Sequence, residues 1–100
     1  MRRATWIHYP TPAEISPYWP TPAILAHMSG RTILACVVPR PGPPERCRVQ
    51  FETPQGAGFG PAALRMSSRF RINPVTRDKA VVDMEIMVPI VFNYKEYRKH

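Results

Sequence analysis

The sequence predicts an α+β domain of two layers: a small antiparallel three-stranded sheet with two helices on one face, in the order α-β-β-α-β. Three observations predict it. Two β-rich runs, 31–38 and 46–52, flank a Pro/Gly cluster; apolar segments with helix start and stop signals lie before and after that pair; and the longest apolar run, 80–92 (AVVDMEIMVPIVF), alternates with a period of two. Helices too short to stand alone bury their apolar stripe by lying on one face of such a sheet.

One hundred residues make one domain with a modest core, near the size where a disulfide helps. With 44% hydrophobic and 21% charged residues the chain is globular in class, and the 13 prolines, concentrated between Pro10 and Pro44, call for extended and turn-rich connections in the first half. The net charge of +7 suits contact with nucleic acid, anionic lipid or an acidic protein surface, and solubility alone accounts for it equally well. No 18-residue apolar run spans a membrane. Met1, Arg2 and Arg3 imitate the start of a signal peptide, but His8, Pro10 and Glu14 interrupt any apolar stretch behind them, so no export signal is expected.

Residues 1–16 open an arm rich in proline and aromatics, for which little regular structure is expected. Thr21-Pro22 reads as an N-cap with proline at the first helical position, and Ser29-Gly30 as the stop, giving a helix over 22–28 that packs Ile24, Leu25 and Met28. The runs around PRPGPPE form a hairpin. Cys47, Val49 and Phe51 share a face, and a register with Cys36 opposite Cys47 puts Leu34 on Val49 and Thr32 on Phe51. After a glycine-rich loop, Phe59, Ala63, Met66 and Phe70 mark the apolar stripe of a helix over 61–72, with Gly60 near its cap. The turn 76–79 leads into the last strand, and 93–100 is a polar, basic tail. In that strand Val82, Met84, Ile86, Val88, Ile90 and Phe92 face a core, and Asp83, Glu85 and Met87 face water. Pro89 has no N–H for a ladder, which makes this an edge strand: a row of unpaired backbone groups to be covered, or a docking site for another extended chain.

Candidate chemistry is sparse. Cys36 and Cys47 form a cross-strand disulfide, remain two buried thiols, or join His27 at a metal; the disulfide is favoured because zinc sites show closer ligand pairs and a full set of four. The loop PQGAGFG lacks the Lys-Ser/Thr of a phosphate loop and reads better as a turn before a helix. Asp83 and Glu85 share a strand face with no nucleophile or histidine beside them, so they read as solvated edge charges. Arg65, Arg69 and Arg71, with Lys95, Arg98, Lys99 and the tail aromatics Tyr94 and Tyr97, would suit a small basic nucleic-acid-binding protein; a solvated helix face and a frayed terminus explain the same residues.

The ordered series C-R-V-x-F-E-T-P-x-G-x-G-F-G-x-A-A-L-R from Cys47, R-F-R-I-N-P-V-T-R-D over Arg69 to Asp78, and V-P-I-V-F from Val88 resembles the C-terminal domain of TonB-family energy transducers, in the variety with a cysteine on each hairpin strand. The upstream Y-W-P, the short helix and G-R before the first strand extend the resemblance over 17–92. It implies a periplasmic, non-catalytic domain without cofactor, metal or small-molecule substrate. Its partner is the TonB box, a short extended segment of an outer-membrane receptor, gripped by strand addition at the last strand; in full-length relatives an inner-membrane proton-driven motor supplies force. A periplasmic setting also allows the disulfide. Relatives carry an N-terminal anchor and a proline-rich spacer; the sequence as read has neither, and is expected on its own to bind but not to transduce. They often have Asp-Gly in the turn before the last strand, where this chain has Asp78-Lys79.

Pro89 turns strand addition into a geometric expectation. If its missing donor faces the open edge, then the backbone groups of Asp83, Glu85 and Met87 face it too, and the even residues pair inward with the first hairpin strand. The peptide-binding edge is thus expected over Asp83, Met84, Glu85, Ile86, Met87 and Val88. An edge of this kind could instead pair with a second copy of itself, giving a homodimer.

Overall fold

A computed structural model describes residues 2–3, 5–73 and 85–98. Within these the chain forms β1 (Arg2–Arg3), β2 (Thr5–His8), α1 (Pro12–Ile15), α2 (Thr21–Leu25), β3 (Gly30–Val37), β4 (Glu45–Thr53), α3 (Phe59–Met66), β5 (Arg71–Asn73), β6 (Glu85–Phe92) and α4 (Tyr94–Tyr97). The class is α+β, as expected, with the three antiparallel strands ordered β4-β3-β6. Two-residue β1 adds to the free side of β6 in parallel, and β2 pairs with β5 in a second, two-stranded sheet.

Alternation builds the sheet's inner face. Leu34, Cys36, Ile86, Val88, Ile90 and Phe92 are buried with Phe59, Ala62, Ala63 and Met66 of α3, which packs on β3 and β4. The stripe expected from Phe59, Ala63, Met66 and Phe70 is wholly buried. The helix that carries it covers less of the chain than its apolar period suggested: it starts at Phe59, capped by Gly58 at φ +94°, and passes through a 3-10 turn at Ser67–Arg69. Phe70, the last residue of the stripe, is buried from extended backbone, so the 3.6-residue period outlasts the helix, and Ile72 is buried from β5. Gly30 allows the closest approach, since a Cβ there would run into the Phe59 ring. At α2 the cap is Pro20, Thr21 lies inside the first turn without a capping bond, and the helix ends at Leu25, short of the expected Met28.

The hairpin register holds at Leu34↔Val49 and fails beyond it. Gln50 is an extra residue on β4, after which Ile33 faces Phe51 and Thr32 faces Glu52. Such a bulge reverses the faces of everything after it. Phe51, expected inside, is 42% exposed under the Arg31 guanidinium, and Glu52, expected outside, turns inward to accept the Gly60 amide at 3.1 Å. A second irregularity between Ala35 and Val37 places Arg46 at φ +51°. The hairpin loop is held at its tip by paired backbone bonds between Gly42 and Ile72, 2.9 and 3.0 Å.

Both ends of the chain are more ordered than expected. The arm holds β1, β2 and α1, the last closed by a capping box between Thr11 and Glu14. The tail forms α4, capped by Asn93, with the Tyr94 amide on Ser29 Oγ at 2.8 Å and Tyr94 and Tyr97 against Trp19. Aromatic rings supply the area that makes both turns worth ordering.

Candidate functional site: the outer edge of the last strand

β6 pairs with β3 without interruption from Glu85↔Val37 to Phe92↔Gly30. Its even side chains Ile86, Val88, Ile90 and Phe92 are buried, Glu85, Met87 and Pro89 are half-buried, and Val91 is exposed. The direction of the backbone follows from one hydrogen bond: the Val91 amide donates to Tyr9 Oη at 3.1 Å and therefore points away from β3. The N–H and C=O of a strand residue share a direction that alternates along the chain. Glu85, Met87, Pro89 and Val91 thus turn their backbone groups outward, and the even residues turn theirs to β3. Proline sits where its missing donor costs the ladder nothing.

Of the six residues expected at this edge, Glu85, Ile86, Met87 and Val88 lie in β6, the odd pair facing outward by backbone and the even pair anchored in the core; Asp83 and Met84 lie outside the described residues, as do the expected turn 76–79 and the start of the strand. Sequence reasoning missed three parts of the edge. Val91 continues the odd set and could have been found by extending the Pro89 parity. The strand β1 pairs in parallel at Arg2↔Ile86 and Arg3↔Met87, and Tyr9 returns to the edge four residues further along β6. Between these points the arm leaves to form β2 on β5, with the Trp6 ring edge-on to Phe70 and Tyr9 at 5.3 and 4.9 Å. No local pattern in MRRATWIHY names the strand it pairs with.

Beyond Val91 an apolar groove of about 240 Å³ opens among Tyr9, Pro12, Ile15, Trp19 and Tyr97. The arm is fixed at its far end by Glu14, whose carboxyl accepts from the Thr11 amide and meets His8 Nε2, both at 2.8 Å. These contacts, the Thr11 amide first, hold the Glu14 carboxyl below its ordinary range.

On the outer face Glu85 is not a lone edge charge. Its carboxylate takes a two-pronged contact from Arg48 on β4, Nε to Oε2 at 3.1 Å and Nη2 to Oε1 at 2.8 Å, and Arg48 also reaches Gln50 Oε1 at 2.8 Å. The pair crosses over β3 on the diagonal, since Arg48 faces Ala35 and Glu85 faces Val37. The Arg48 contact pulls the Glu85 carboxyl below its ordinary range, and the same contact raises the guanidinium. A carboxylate depressed in the folded state stabilises above its unfolded pKa, and that contribution is lost as pH falls through the folded value. Glu85→Gln should therefore change stability little near pH 7, as exposed pairs do, and flatten the fall between the ordinary glutamate range and lower pH. Urea midpoints measured from pH 7 to 3 check this, and identical slopes for the two proteins would contradict it.

The remaining candidates are accounted for. Cys36 and Cys47 form a disulfide, with Cα atoms 4.1 Å apart, and His27 stacks on Tyr94. The glycine-rich loop offers no open phosphate cradle at α3, because the Glu52 carboxylate already holds the Gly60 amide. Arg69 donates to Tyr18 Oη at 2.7 Å, and Arg71 donates to the Ser68 and Phe70 carbonyls. With Tyr94 and Tyr97 packed on Trp19, the described basic residues do not assemble a stacking platform for bases, and Lys99 lies outside the described residues. No three metal-ligating side chains cluster among the described residues.

Comparison with known proteins gives one match. The family described as Gram-negative bacterial TonB protein C-terminal matches residues 15–94, which include α2, the hairpin, α3 and all of β6, and leave β1, β2 and Tyr9 outside. No curated protein and no solved structure matches.

Proposed function

Because the chain belongs to the TonB C-terminal family, a periplasmic protein-interaction domain of TonB-type energy transduction and not a known enzyme family, we propose that it binds the TonB box of an outer-membrane receptor by strand addition along β6. The observation that carries this reading is the outward Val91 amide, which gives the odd residues of β6 a common set of backbone donors and acceptors on the side away from β3. An extended segment laid there would exchange main-chain hydrogen bonds at Glu85, Met87 and Val91, and meet only a carbonyl at Pro89. Each bond is worth about 0.5–1.5 kcal/mol net, so several in register are needed for useful affinity. Backbone pairing tolerates many sequences, and specificity falls to side-chain sites such as the groove beside Val91. In a full-length transducer, an inner-membrane motor would pull on the receptor through this joint. None of the described helices is long and apolar enough to cross a membrane.

Met87→Pro tests the reading, since it deletes one outward donor and leaves the β3 ladder intact. A fluorescein-labelled TonB-box peptide should bind the variant at least about 10-fold more weakly, roughly one charge-free backbone bond and its neighbours' geometry, while the thermal midpoint moves little. Val88→Pro, which removes an inward donor, should unfold the sheet instead. Unchanged affinity for Met87→Pro would overturn strand addition at this edge.

A further inference from the structure

The edge that strand addition needs is held by the chain itself at two separate points: the β1 backbone lies on Ile86 and Met87, and the Tyr9 hydroxyl takes the Val91 amide. We infer that β1 and Tyr9 are an intramolecular occupant of the β6 edge, and that a partner segment gains the edge by displacing them. The inference rests on the strand-addition reading and goes beyond it, because an open edge and an exchanged edge differ in affinity, rate and control.

Three features suit the arm to being displaced. Its hold on β6 is short, two residues of parallel pairing and one side-chain bond, whereas its anchorage elsewhere is independent of β6. β2 on β5, Trp6 on Phe70, and the Thr11–Glu14 box with His8 keep the arm attached while β1 and the Tyr9 hydroxyl let go. β1 also covers, at Ile86 and Met87, a stretch of the edge whose outward backbone groups an incoming strand would use. Tyr9 further lines the apolar groove beside Val91, so its withdrawal would free an amide and widen the groove in one movement. An edge kept covered in this way is also protected from pairing with a second copy.

For a site whose competent state is only fractionally populated, apparent affinity falls by that fraction. An arm that is closed nine-tenths of the time would weaken binding about 10-fold. The test uses the full chain carrying Arg2→Pro, Arg3→Pro and Tyr9→Phe together, which breaks the β1 ladder and removes the hydroxyl while keeping the Tyr9 ring on Trp6. Two quantities are compared with the parent: hydrogen exchange at the Val91 amide, and affinity for a fluorescein-labelled TonB-box peptide, with thermal midpoints confirming that both proteins are folded. The expected result is Val91 exchange faster by about 10-fold and peptide binding tighter by a similar factor. Unchanged exchange overturns the occupancy of the edge by the arm. Faster exchange with unchanged affinity overturns the competition. Faster exchange with no binding by either protein overturns the strand-addition reading and the displacement with it, and leaves the arm on the edge.

Discussion

Trp19→Ala should be the most damaging side-chain truncation in the domain, costing about 3–5 kcal/mol. Trp19 is 6% exposed and stands at the junction of three elements: its ring meets Phe59 of α3 at 5.6 Å, Phe92 at the end of β6 at 5.8 Å, and Tyr94 and Tyr97 of α4 at 5.8 and 4.8 Å. Truncation leaves a cavity between α3, the end of β6 and α4. A domain of this size has roughly 5–15 kcal/mol to lose, and each kilocalorie lowers the thermal midpoint by about 4–8 °C. Urea unfolding at 25 °C measures the cost directly, and Trp19→Phe should recover most of it. A loss below about 1 kcal/mol would mean that the ring cluster is not the keystone its geometry indicates. Peptide affinity is a second readout, because the same ring forms one wall of the groove beside Val91.

The sequence made some of this geometry readable and hid the rest for identifiable reasons. A period of two over 85–92 survives in the fold because one side of β6 is buried and the other is not, and Pro89 marked it as an edge for a purely covalent reason, the absent N–H. Leu34↔Val49 was readable because a one-residue slip there would bury Arg48. The same reasoning failed at Phe51, where the Gln50 bulge shifts the register. Its benefit is local: Glu52 gains the Gly60 amide at the start of α3, an interaction that side-chain alternation does not encode. Helix ends were missed for a related reason, since Phe70 keeps the helical period although it is buried from extended backbone just after the 3-10 turn. The arm was the largest omission at the site. Its aromatic residues signalled that it would cover something, and only the pairing of β2 with β5 determines that its two ends arrive at β6.

Replacing both cysteines by alanine should cost about 3 kcal/mol, the chain-entropy value for a loop of this length, since residues 36 and 47 are 11 apart in sequence. The location makes the loss more than a matter of stability. Cys36 is fully buried in β3, the strand that backs β6 along its whole length, and its partner Cys47 lies on β4 between the two register irregularities. A hairpin with a bulge on each side of its centre has weak intrinsic register, and the covalent link fixes which residues of β4 oppose β3 between them. The double variant should therefore show a lower urea midpoint together with faster amide exchange in β4, while the β3·β6 ladder, which has no bulge, exchanges only through global unfolding. Peptide affinity measured well below the unfolding midpoint should stay near that of the parent, because the disulfide is not at the β6 edge. A large affinity loss in a demonstrably folded double variant would show instead that the bulged hairpin sets the geometry of β6, and would move the disulfide from the scaffold into the binding mechanism.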